Sequence, residues 1–83
     1  DGQALYRNNF SAEGFIEVPM ETMQPHDVLL MQVRSPAVEN HAAIYLGNNT
    51  ILHHLMNSLS CKTTYEAYWQ RHTTAVLRHR HFL

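Results

Sequence analysis

The segment that most restricts the fold is Asn40–Leu55, NHAAIYLGNNTILHHL. Two short apolar runs flank Gly47-Asn48-Asn49. Gly and Asn tolerate the positive φ that tight hairpin turns require. The spacing predicts an antiparallel hairpin with strands over Ala42–Leu46 and Thr50–Leu55. Strands joined this directly exclude a helical crossover between them, so the class expected is α+β: a small antiparallel β-sheet with at least one helix. A chain of 83 residues makes one domain, 1–83. At that size roughly 60% of the unfolded surface is buried, so the core is thin.

Other segments supply partners for the hairpin. Val28 to Val33 is a nearly unbroken apolar run, the pattern of a strand buried on both faces, with Ser35-Pro36 ending it. Pro25-His26-Asp27 before it is turn chemistry, since Pro presets the first turn angle and Asp can bond its own downstream backbone. Phe15-Ile16-Glu17-Val18 reads as a short strand stopped by Pro19, with Phe10 and Phe15 anchoring either side of a Ser11–Gly14 turn. Near the amino end, Ala4-Leu5-Tyr6 reads as a single helical turn. Tyr65, Tyr68 and Trp69 recur at helical spacing, so a helix capped by Thr63 or Thr64 is expected there, with Cys61 at its foot. The closing TAVLRHRHFL alternates and carries charge, which points to an edge strand.

Bulk charge excludes several functions. The formal net charge is −1 with histidine neutral, so no basic footprint argues for nucleic acid or anionic lipid. No apolar run reaches the length of a membrane span. One cysteine cannot make an internal disulfide. With seven histidines the charge swings positive as pH falls through roughly 6.5.

The histidines of the hairpin are the candidate site. Alternation sends His41, Ala43 and Tyr45 to one face, and Ile51 and His53 to one face of the second strand, with His54 opposite. A three-residue turn sets Leu46 against Thr50 and Ala43 against His53. His41 and His53 then become diagonal neighbours on one face, roughly 7–8 Å apart at Cβ. A slip of one residue would separate them. Two such imidazoles suit a base and the group that orients it, needing only a Ser or Cys nucleophile within reach. Two other readings stand beside this one, the first bland and the second as specific as a catalytic pair. A strand histidine is commonly a satisfied core or surface residue, and His41 and His53 with His26 or Cys61 could ligate zinc. Against zinc, no close Cys/His pair has finger-like spacing.

The segments QPHDVLLMQ, NHAAIYLG and ILHHL, in that order, resemble the second half of the NlpC-type papain-like cell-wall peptidases. The run through YWQRHTTAVLRHR is similar to the phage tail-tip members of that family, and the likeness extends from about Tyr6 to Arg80. The resemblance implies a partial papain-like fold, with His41 as general base for a cysteine nucleophile and His53 as the polar residue that orients it. It implies hydrolysis of peptide bonds in peptidoglycan stem peptides through an acyl-enzyme, without metal or cofactor. It also implies a phage or prophage tail protein, made in the bacterial cytoplasm, that meets other tail proteins at the virion tail tip and acts on the host cell wall.

Two departures qualify the likeness. The family's nucleophile precedes its histidines at a helix N-terminus, where the thiol pKa is lowered. Here no cysteine precedes His41, and Cys61 follows both histidines. The chain is therefore expected to be the later part of the domain, inactive alone, with an uncovered sheet face that favours self-association. His26 stands where the family usually has Gly; a left-handed backbone there would cost the imidazole residue about 1 kcal/mol. A non-catalytic tail assembly or binding module is the competing function, and a His-rich metal-binding domain is a third.

Overall fold

The computed structural model describes residues 5–33, 41–54 and 60–83, with residues 5–7 and 54 as backbone only. Expectations for Ser35-Pro36, Leu55 and the side chain of His54 lie outside these residues. Six strands form one antiparallel sheet: β1 (Phe15–Val18), β2 (Val28–Met31), β3 (His41–Gly47), β4 (Thr50–His54), β5 (Ser60–Thr64) and β6 (Thr73–His79). Their spatial order is β1-β6-β2-β3-β4-β5. Two helices, α1 (Leu5–Ala12) and α2 (Ala67–His72), complete an α+β fold. Among the described residues, no helix is long and apolar enough to cross a membrane.

The apolar run of β2 lies third in the sheet and is buried on both faces, as its unbroken hydrophobicity implies. Leu29 and Met31 join Ala43, Ile51, Tyr65 and Val76 on one face. Val28 and Leu30 join Ala75 and Leu77 on the other, with Phe10, Phe15 and Ala42 packed against them. Phe10 and Phe15 meet edge to face at 5.1 Å, so the aromatic anchors on either side of the turn do pack together. Helix α1 runs further than a single turn, to Ala12, and the turn shrinks to Glu13-Gly14.

β6 overturns the expectation of an edge strand, because it lies between β1 and β2. Its arginine misleads: Arg78 is paired in a bidentate contact with Asp27, Nε to Oδ1 at 2.9 Å and Nη2 to Oδ2 at 3.0 Å. Asp27 is fully buried, and its Oδ2 also accepts from the backbone N–H of Gln24. The carboxylate thus bonds upstream rather than downstream and clamps the turn before β2 to β6. A charge buried this way is tolerated only when paired, and removing one partner typically costs about 3–5 kcal/mol.

The helix expected from Thr63 onward also changes. Ser60–Thr64 forms β5, an edge strand whose side chains alternate between exposed and half-buried, and α2 begins only after Glu66. A polar edge strand needs no apolar run, because one face stays in water. Tyr65 is buried at the junction rather than on a helical face.

The Gln24–Asp27 turn closes with the Asp27 N–H donating to the Gln24 carbonyl at 3.1 Å. Pro25 takes its first corner and His26, at φ 79°, its second, the left-handed place of a type II turn. The His26 ring stacks on Phe82 at 5.1 Å, on an exposed surface. Replacing His26 with Gly is expected to relieve backbone strain of about 1–2 kcal/mol, less what glycine loses in chain entropy. The net expected is a rise of a few degrees in melting temperature, roughly the 4–8 °C per kcal/mol of a domain this size scaled to that residue of strain. Thermal unfolding followed by circular dichroism checks it, and a lower melting temperature contradicts it.

Candidate active site

The β3–β4 hairpin turns through Asn48 and Asn49, at φ 52° and 59°. Positive φ at both central residues is the two-residue turn whose twist matches that of the strands. Gly47 pairs with Thr50, so the turn is one residue shorter than expected, and an irregularity between Tyr45 and Gly47 takes up the difference. Beyond it the register is the expected one: Tyr45 faces Ile51 and Ala43 faces His53. The bulge near the turn leaves the far end unshifted, and that end carries the histidines.

His41 and His53 project from the same face. Nε2 of His41 and Nδ1 of His53 are 2.9 Å apart, one donating and the other accepting. Nε2 of His53 lies 3.0 Å from Oγ1 of Thr63 on β5. Oγ1 of Thr63 is in turn 3.7 Å from Sγ of Cys61. A line of polar atoms therefore crosses three strands from His41 to Cys61. Thr63, expected as a helix cap, is a strand residue instead: nothing in SCKTT marks a strand, and the contact exists only through strand alternation.

Trp69 of α2 covers this line. Its indole lies over His41 with centroids 5.8 Å apart and planes at 26°, and meets His53 nearly perpendicular at 4.7 Å. Polar bonds hold α2 in place. The Thr73 hydroxyl donates to the Trp69 carbonyl at 2.8 Å, the Tyr65 hydroxyl lies 2.6 Å from Thr73 Oγ1, and Gln70 Nε2 donates to the Tyr65 carbonyl. The expected aromatic face is not formed: Tyr65 precedes α2 and Tyr68 is exposed, and of the three only Trp69 packs from the helix, as a roof over two imidazoles.

Burial lowers the pKa of both rings below the ordinary 6.5 by disfavouring the cation, and a charge on His53 further opposes one on His41. Both are therefore neutral near pH 7. In that state a proton on Nε2 of His41, donated to His53, leaves the Nδ1 lone pair of His41 as a base. Among the described residues, no protein group bonds that nitrogen.

Cys61 does not reach it. The cysteine pairs with His53 across β4–β5, two strands from His41. At the usual strand spacing that is roughly 10 Å, well beyond the reach required of a nucleophile and its base. His26 is elsewhere, against Phe82. Among the described residues, no three His, Cys, Asp or Glu side chains come together as a metal site. An open apolar groove of about 410 Å³ is lined mainly by residues of the other face, among them Phe10, Phe15, Val28, Ile44 and Leu52, and also reaches His53.

The tail tip assembly protein K of Escherichia phage lambda is 46% identical over 80 residues, covering 96% of this chain. The protein of the same name from Escherichia phage N15 is 40% identical over 57 residues, covering 69% of this chain. This chain spans 40% of the length of the lambda protein and 23% of the N15 protein. The sequence pattern of the NlpC/P60 family matches residues 3–78, nearly the whole chain. The chain thus belongs to the NlpC/P60 family.

Proposed function

We propose that this chain carries the base and orienter of a cysteine peptidase site, His41 and His53, in a phage or prophage tail protein. The observation that carries the reading is the 2.9 Å contact between Nε2 of His41 and Nδ1 of His53. It is the contact by which an orienting group holds a general base in position. Its likeness to two tail tip assembly proteins supports a tail location and contacts with other tail proteins. The substrate proposed is the peptide part of peptidoglycan, cut at the host cell wall through an acyl-enzyme. The nucleophile is a thiol from a longer polypeptide, in keeping with the share of the lambda protein that this chain spans. Residues 1–83 alone are accordingly inactive.

Digestion of muropeptides tests the proposal. A longer polypeptide that includes an upstream cysteine-bearing segment is expected to cleave them, and His41→Ala to lower kcat by roughly 10²–10⁴-fold, the range of general-base catalysis. Cleavage untouched by His41→Ala removes the assignment. No cleavage by the longer polypeptide favours a tail assembly or binding module built on the same sheet.

The neutral imidazoles make stability depend on pH. Their folded pKa values lie below the unfolded 6.5, so the unfolded chain binds protons at a pH where the folded chain does not. Stability from this pair is present above the unfolded value and is lost as pH falls through 6.5 toward the folded values. The urea midpoint at pH 5.5 is expected below that at pH 7.5, with the difference reduced in His53→Gln. Equal midpoints would contradict the burial of neutral rings.

The open apolar groove is where the self-association expected from the sequence would occur. Sedimentation velocity over a range of concentrations is expected to show dimer forming. A monomer at every concentration argues that the groove is left to solvent in this chain.

A further inference from the structure

An orienting carboxylate only accepts hydrogen bonds, so it fixes the proton of the base unaided. An orienting imidazole does not, because Nδ1 of a neutral histidine is a donor in one tautomer and an acceptor in the other. If His53 Nδ1 carries the proton, it donates to His41 Nε2, and His41 is left with its proton on Nδ1 and no lone pair there. The base function therefore requires the proton of His53 to reside on Nε2. Something must hold it there.

We propose that Thr63 is the positioning residue that does so: its Oγ1, 3.0 Å from His53 Nε2, accepts that proton and thereby makes His41 Nδ1 the basic nitrogen. The role rests on the peptidase reading of the site, but the proton arrangement is a property of the chain itself. Strand pairing puts Thr63 in reach: His53 faces Cys61 and Ile51 faces Thr63, so Thr63 is the diagonal neighbour of His53 on the same face.

The hydroxyl can in principle point either way, and its second contact bears on the direction. Neutral His53 carries one ring proton, so its two links run the same way: when Nδ1 accepts from His41, Nε2 donates to Thr63. With protons pointing away from His41, Thr63 donates to the Cys61 sulfur 3.7 Å away, and the unpaired group at the other end is a lone pair on His41. With protons pointing toward His41, the line begins at the thiol, a weak donor, and ends in an N–H on His41 without a protein partner among the described residues. The base function of His41 requires the first arrangement, in which the hydroxyl accepts from His53 and turns its own hydrogen toward the sulfur. Cys61 then serves as the terminal acceptor of the line and not as a nucleophile.

Nitrogen-15 NMR of the imidazoles distinguishes the arrangements, because protonated and unprotonated ring nitrogens resonate far apart. At pH 7.5 the chain is expected to show His41 and His53 both protonated on Nε2. Thr63→Val, which keeps the shape and removes the acceptor, is expected to move the His53 proton to Nδ1. Thr63→Ser is expected to restore the original pattern. A His53 protonated on Nδ1 in the unsubstituted chain overturns the proposal, and so does a Thr63→Val spectrum with both rings unchanged. Should Thr63→Val fail to fold, the unsubstituted spectrum alone decides.

In a longer polypeptide with the thiol present, Thr63→Val is expected to lower kcat by roughly ten- to a hundredfold with KM little changed, and Thr63→Ser to recover it. Unimpaired turnover in a folded Thr63→Val variant overturns the role in positioning. Absence of turnover in every form, with the tautomers as expected, overturns the peptidase reading and leaves the proton arrangement standing.

Discussion

The structure depends on the register between β3 and β4. Side chains of paired strands alternate with a period of two, so a slip of one residue would send His41 and His53 to opposite faces. The hairpin secures the register locally, with two left-handed asparagines at the turn and the irregularity near Leu46. It is also secured globally. β2 is buried on both faces and pairs with β3 through Val28–Ile44 to Met31–His41, so a slip would misplace the core as well as the site. One constraint thus serves packing and chemistry together.

The site is assembled by elements of unequal strength. His41 sits on a strand flanked by the central β2, and His53 sits one strand further out. Thr63 and Cys61 come from the edge strand β5, whose outer side has no partner strand among the described residues. Trp69 comes from a helix of six residues, too short to be stable in isolation. That helix is held by Thr73, Tyr65 and Gln70 rather than by its own turns. Of these residues His41 lies on the strand nearest the middle of the sheet.

Much of this was legible in the residues, and the reasons for the rest are physical. The hairpin, the doubly buried β2 and the shared face of the histidines all follow from alternation and turn chemistry, which are local. The place of β6 does not, because Arg78 and His79 suggest solvent. The carboxylate that neutralises Arg78 lies 51 positions earlier in the chain, at Asp27. β5 is missed for the converse reason. An edge strand of Ser, Cys, Lys and Thr carries no hydrophobic signature, and aromatic residues just after it suggest an earlier helix. With β5 unseen, Thr63 could not be placed beside His53. His26 shows the sequence serving well: the mismatch with a family glycine pointed to a left-handed backbone, and φ there is 79°.

The roof over the histidines carries one more consequence. Trp69 is the chain's single tryptophan, and it touches both rings of the pair. A charged imidazolium quenches indole emission more strongly than the neutral ring. The intrinsic fluorescence of this protein is therefore an optical meter of the ionisation of its own candidate base, with no label required.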